Sequence, residues 1–191
     1  EGAIYGSGSI DKPFVRYWMH NGHIRVNHEK MSKSLGNFFL IKDVLAQFDP
    51  EVVRFFMLKA HYRSPINYSD SQLEEARTGL TRLYTALSEL SELPGIQSNQ
   101  VDPAWNDRFA QAMNDDFNTP DAIAVLFELV TEIHKTQDTG RKEELLNTLY
   151  HLSNTIGLLY QSPQQFLQSG TPKAGLSPEQ IEERIAALQQ A

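Results

Sequence analysis

The 191-residue sequence contains no cysteine, which excludes a disulfide framework and a thiolate metal site within it. Long apolar runs are also missing. The longest, residues 122–127, has six residues, far below the roughly 18 that suggest a membrane span. No basic-then-apolar leader opens the sequence, so a retained secretory signal is not expected. It starts at Glu1 instead of Met, which points to processing or truncation. The lack of cysteine suits the cytosol. A surplus of positive charge is lacking too: the net charge is −7, so the protein as a whole is a poor generic binder of nucleic acid.

That sum hides an asymmetry. Residues 1–65 carry nine basic groups against six acids, a balance of +3, while residues 66–191 carry eight bases and eighteen acids, a balance of −10. Basic charge gathered in one segment can still meet phosphate locally. Apolar residues make up 40% and charged residues 21%, which places the chain among globular proteins of one domain or two small ones.

Residues 1–10 are Gly/Ser-punctuated and carry no clear period. The apolar run Phe14, Val15, Tyr17, Trp18, Met19 reads as the end of a helix, closed by Asn21-Gly22. His23–Asn27 then alternates with period two, as a half-exposed strand does. A lone strand leaves its backbone groups unsatisfied, so its partners are expected within residues 1–18 or, preferably, upstream of the sequence. The polar segment from Lys30 to Asn37 reads as a loop.

Helices follow. Short ones are expected at 42–48 and, after the Asp49-Pro50 signal, at 50–61. A long helix is expected from about Ser71, with Glu74 completing a capping box. Its apolar residues Leu73, Ala76, Leu80, Leu83, Tyr84, Leu87 and Leu90 fall at helical spacing, and Pro94-Gly95 stops it. Further helices are expected at 103–115, from Thr119-Pro120 onward, at 141–160, and after Ser177-Pro178. The expected fold class is mainly α, an antiparallel helical bundle preceded by a small α/β remnant. The expected domains are 1–65, 66–170 and a linker with a first further helix over 171–191.

The chemistry concentrates in Lys30-Met31-Ser32-Lys33-Ser34, two ammonium groups and two hydroxyls in five residues. Lysine is a mobile point charge suited to phosphate oxygens that gain charge as a bond breaks. No Gly stands where a Walker A loop needs one, and an ordinary solvated loop has the same composition. The string is, however, the KMSKS signature of class I aminoacyl-tRNA synthetases. Its setting, YWMHNGHIRVNHEKMSKSLGNFF, resembles the bacterial-type cysteinyl-tRNA synthetases, as do HYRSPINYSD (61–70), AMNDDFNTPDAIAVLF (112–127) and GLLYQSPQQFLQSG (157–170).

The resemblance implies activation of L-cysteine by ATP with Mg2+ and transfer to tRNA(Cys), in a cytoplasmic, monomeric enzyme. It implies that Lys33 contacts ATP, that Lys30 assists electrostatically, and that Met31 and Leu35 anchor the loop while Ser32 and Ser34 tie its backbone. It further implies the end of a Rossmann-type catalytic domain, a stem-contact element and a helical bundle. The HIGH-type motif and the Cys, His and Glu ligands of a zinc ion are expected outside this sequence, so the chain alone is expected to be inactive. A cysteine:aminosugar ligase of mycothiol synthesis and a nonenzymatic helical tRNA-binding module are the alternatives.

Other residues have two readings each. His20, His23 and His28 suit a metal site or surface packing. Trp18 with His20 lines a cleft or belongs to a core. Asp115 and Asp116 form an acid/base pair or complement a helix start, the latter being preferred. Arg63 touches tRNA phosphate or meets the carbonyls at a helix end. Glu143 and Glu144, with Glu179, Glu182 and Glu183, are expected on a solvated face.

Overall fold

The computed structural model describes residues 15–26, 29–31, 40–89 and 100–169. Among these, three short strands precede and interrupt seven helices: β1 (Ile24–Val26), β2 (Glu29–Lys30), α1 (Ile41–Leu45), α2 (Pro50–Leu58), β3 (Ile66–Tyr68), α3 (Asp70–Ser88), α4 (Pro103–Asn114), α5 (Thr119–Lys135), α6 (Thr139–Thr155) and α7 (Pro163–Gln168). The mainly helical class with a small sheet at its head is the one expected. The expectations at 32–39, 90–99 and 170–191, including Leu35, Leu90, Pro94-Gly95, Ser177-Pro178 and Glu179, Glu182 and Glu183, lie outside the described residues.

Local chemistry starts the helices. Asp49, Asp102, Asn118 and Ser162 each turn a side-chain oxygen to a backbone N–H of the first turn, and each precedes a helix with proline at its first or second position. These pairs satisfy an orphan donor and preset φ at the same time. Two caps differ from expectation. Ser69, not Ser71, caps α3 by accepting from the Gln72 N–H, and Asn118, not Thr119, caps α5. The helix α7 has no counterpart in the sequence expectations, although Ser162-Pro163 carries the same signal as Asp49-Pro50.

Burial follows the periodicity. On α3, Leu73, Ala76, Leu80, Leu83, Tyr84 and Leu87 are buried, and they meet Phe55 and Phe56 of α2, Leu126, Leu129 and Ile133 of α5, and Leu145, Leu149 and Leu152 of α6. α3 is the spine: α2, α5, α6 and α7 all pack on it, and α4 packs across α5 and α6. Helix α6 stops at Thr155, short of the expected residue 160. Ile156, Leu158 and Leu159 stay buried beyond its end, because Gly157 at φ 73° turns the chain back across α2.

The sheet corrects the expectation about β1's partners. β1 lies between β2, antiparallel with Arg25 opposite Lys30, and β3, parallel with Ile24 opposite Ile66. Both partners belong to this chain, and neither falls in residues 1–18. β3 is short and follows Pro65, so no run of alternation advertises it. Lys30 accordingly stands in a strand, not a loop. Residues 15–20 are not helical, and Tyr17, Trp18 and Met19 are exposed.

Candidate functional site

β2 delivers Lys30 to the head of the basic string. Arg25 and Lys30 are directly opposed and both exposed, so two cations share one face of the hairpin. Like charges in that register disfavour each other, and an anion bound between them would relieve this. Arg25 carries no signal in the sequence, because only the strand pairing sets it beside Lys30. The next residue, Met31, sends its N–H to the Ile24 carbonyl at 3.4 Å. It lines an apolar cavity of about 470 Å³ together with Leu40, Val44, Phe56, Met57 and Tyr68. Ser32, Lys33 and Ser34 lie outside the described residues.

The strand pair is seated on the turn that follows α2. Gly22 donates its N–H to the Tyr62 carbonyl at 2.7 Å, and Ile66 donates to the His23 carbonyl at 3.0 Å. That turn is in turn fixed to the loop between α4 and α5. Asp116 accepts from Arg63 Nε at 2.6 Å, from Arg63 Nη2 at 3.2 Å and from the Tyr62 hydroxyl at 2.7 Å, with His61 Nε2 at 3.9 Å. The Arg63 guanidinium lies over the Tyr62 ring, which stacks on His61. Arg63 therefore engages a distant carboxylate and not the helix-end carbonyls. Asp116 likewise does not start α5; it binds the cation across the molecule.

The hydrogen bond from Arg63, followed by that from Tyr62, lowers the Asp116 carboxyl from 3.8 to about 2. The same contacts raise the Tyr62 hydroxyl and the Arg63 guanidinium. A carbon-detected titration of Asp116 is expected to give a midpoint near 2 in the wild type. In Arg63→Met the midpoint should climb back toward the ordinary carboxylate value; an unmoved midpoint would contradict the assigned pair.

A second polar knot lies at the other end of α2. Glu51 is 0% exposed. Its carboxylate accepts from the Tyr84 hydroxyl (2.8 Å), the Leu159 N–H (2.6 Å) and the Gln161 amide (3.2 Å). Gln161 also donates its N–H to the Tyr84 oxygen at 3.1 Å. Burial first, then Asp49 nearby, raises the Glu51 carboxyl against the lowering effect of its hydrogen bonds; burial and Glu51 push the Tyr84 hydroxyl up. The knot joins α2, α3 and the segment after α6, and nothing in the sequence announced it beyond the unusual placing of Glu51 in an apolar helix.

Trp18 is 72% exposed and stacks on His20, with centroids 6.4 Å apart; it is no core residue. His20 and His23 are exposed and His28 lies outside the described residues. Among the described residues no group of three or more His, Asp or Glu could hold a metal ion. Glu143 departs from the solvated face expected of it: it is 2% exposed, on the α6 turn whose neighbour Arg141 bridges Asp102 and Glu144.

Residues 4–78 match the model of the tRNA synthetases class I (C) catalytic domain, and residues 108–161 match the DALR domain. Curated relatives named cysteine–tRNA ligase include those of Polynucleobacter asymbioticus, 63% identical over 98% of this chain, and Cupriavidus necator, 54% identical over 96%. The chain spans 40% and 38% of those relatives' lengths. Among solved structures, the LeuRS of Agrobacterium radiobacter K84, in a ternary complex with tRNA and LeuAMS, superposes with a TM-score of 0.60 at 18% identity, covering 87% of this chain and 29% of that one; this likeness concerns the fold. By the order and extent of these matches, the chain is similar to the cysteine–tRNA ligases over about 40% of their length, with a class I (C) catalytic-domain match ahead of a DALR match.

Proposed function

We propose that the chain is part of an ATP-dependent cysteine–tRNA ligase, contributing the phosphate-handling loop and the helical domain that meets tRNA(Cys). The observation that carries this is the Lys30–Ser34 string, in a chain 63% identical to a ligase of that name. In the proposed reaction the L-cysteine carboxylate attacks the α-phosphorus of ATP, the new oxygen–phosphorus bond forms as the α–β phosphoanhydride bond breaks, and pyrophosphate departs; Mg2+, when bound, would neutralise charge on the phosphates. The cysteinyl group then passes to tRNA and AMP leaves.

Lys33 is assigned to the triphosphate, where charge grows as the bond to pyrophosphate breaks. Lys30, with Arg25 across the hairpin, adds positive potential at the base of the loop. Met31 supports that role by lining the apolar cavity beside α1 and α2. Arg63 is assigned a tRNA phosphate through the guanidinium edge that Asp116 leaves open. The bundle from residue 66 to 170 is assigned to the tRNA side, and 1–65 to the catalytic side. A zinc ion that reads the cysteine thiol would take its Cys ligand from elsewhere, since this chain has none. The chain is proposed to be inactive by itself, and the intact enzyme monomeric and cytoplasmic. No helix among the described residues is long and apolar enough to cross a membrane.

In the intact enzyme, Lys33→Ala is expected to depress cysteine-dependent ATP–pyrophosphate exchange by at least about tenfold, the scale of one preorganised charge at a developing oxyanion. Exchange near the wild-type rate would reject the assignment. Offering tRNA(Cys) and an aminosugar as competing acceptors separates this ligase from the aminosugar enzyme.

A further inference from the structure

We propose that Asp116 is a positioning residue for tRNA charging, acting through Arg63 and Tyr62 to set the α4–α5 pair against the small sheet. This rests on the ligase function proposed above. The carboxylate belongs to the DALR match, residues 108–161, while Tyr62 and Arg63 belong to the catalytic-domain match, residues 4–78. Three hydrogen bonds converge on this one carboxylate across that boundary. Tyr62 is itself tied to the sheet through Gly22, and the same turn leads directly into β3. What Asp116 holds is therefore the edge of the unit that carries β1, β2 and Lys30.

The contact suits orientation better than stability. Arg63 and Asp116 are exposed and Tyr62 is half-buried, and exposed ion pairs add little to folding. A guanidinium that meets one carboxylate through two N–H groups is directional, however, and a Tyr hydroxyl on the same oxygen narrows the angle further. The backbone is bent into the left-handed region at both Asp116 (φ 53°) and Phe117 (φ 55°). Asp tolerates that region; Phe does so rarely. Such conformations persist where the surrounding structure holds them, and they gather at functional sites.

Geometry also separates this contact from the fold's other attachment. Glu51 pins the N-terminal end of α2 to α3 and residue 159, whereas Asp116 holds the turn beyond its C-terminal end. Losing Asp116 leaves α2 packed and releases only the distal turn. ATP and cysteine are small and, on the function proposed above, are assigned to one side of the boundary. A tRNA that touches both sides is sensitive to the angle between them.

The test uses the intact ligase. Asp116→Asn keeps the side-chain shape and its tolerance of positive φ while removing the charge. Its kcat/KM for tRNA cysteinylation is expected to fall about tenfold, on the scale that misplacement by a fraction of an ångström produces. Cysteine-dependent ATP–pyrophosphate exchange should stay within about twofold of wild type. Because Asp116 acts through Arg63 and Tyr62, adding Asp116→Asn to an Arg63→Met/Tyr62→Phe variant should slow tRNA charging no further. Unchanged charging in Asp116→Asn, equal losses of charging and exchange, or an additional loss in the triple variant would each overturn the proposal. A wild-type enzyme without cysteine-dependent exchange would instead strike the ligase function on which it rests.

Discussion

Glu51→Ala is expected to lose about 3–5 kcal/mol in urea unfolding followed by circular dichroism, the cost of breaking a buried charged network. For a chain of this size that lowers the melting temperature by roughly 10 °C. The substitution strands the Tyr84 hydroxyl proton and the Leu159 N–H in the protein interior, while the Gln161 amide keeps Asp49 as an acceptor, and it leaves a void between α2 and α3. Each buried group without a partner carries its own desolvation penalty. Glu51→Gln keeps the volume and part of the network, so about 1–2 kcal/mol is expected. A loss under about 1 kcal/mol for the alanine variant would contradict the network's role.

The same carboxylate gives the pH dependence a sign. Its pKa is raised above 4.5 on folding, so the folded state holds the proton more tightly. Its favourable contribution is complete below that value and declines as pH rises through the folded pKa. The stability lead of wild type over Glu51→Gln should therefore widen as pH is lowered toward 4.5. Asp116 works in the opposite sense. Its contribution is present above 3.8 and is lost as pH falls toward about 2, though its exposure keeps that contribution small.

Gly22→Ala is the second large effect expected. A Cβ there would stand 2.1 Å from the Ser64 carbonyl oxygen, 2.3 Å from its carbon and 2.7 Å from the Pro65 nitrogen. These are backbone atoms, with no rotamer to yield. The strand must move off, breaking the Gly22–Tyr62 and Ile66–His23 hydrogen bonds. Overpacking of this kind costs about 1–3 kcal/mol or more. Amide hydrogen exchange at Ile66 is the direct readout: protection should collapse there while it persists at Leu149 in α6. Retained protection at Ile66 would show that the strands accommodate the methyl.

Much of the helical domain is legible in the sequence because its signals are local. The Asp49-Pro50 cap and the three-and-four spacing from Leu73 to Leu87 fix where helices begin and which face is buried, and the structure agrees. The sheet is less legible because its information is distant. Ile66-Asn67-Tyr68 is three residues long, lacks a visible alternation, and becomes a strand only when β1 lies beside it. The same holds for the polar contacts. Arg63 and Asp116 stand 53 residues apart, and Glu51 and Leu159 stand 108 apart; no spacing rule links either pair. The local sequence around Asp116 points to a helix start, whereas its partner comes from another part of the chain. Composition groups Glu143 with exposed acids, but its place on the helix face buries it. For the basic string the sequence carries nearly everything: its chemistry is visible in five consecutive residues, and the structure adds the strand on which it is mounted and Arg25 opposite Lys30.

The parallel pairing of β1 with β3 also has a meaning in time. Ile24 and Ile66 are partners, so about forty residues must leave the ribosome after β1 before its second edge is covered. At 5–20 residues per second that is a wait of roughly two to eight seconds. During it, the exposed run Tyr17, Trp18 and Met19 and one bare strand edge travel together on the nascent chain, with only the β2 hairpin to shield them. The segment that carries Lys30 is thus made early and finished late, and the emergence of residues 66–68 sets the moment at which its sheet can be completed.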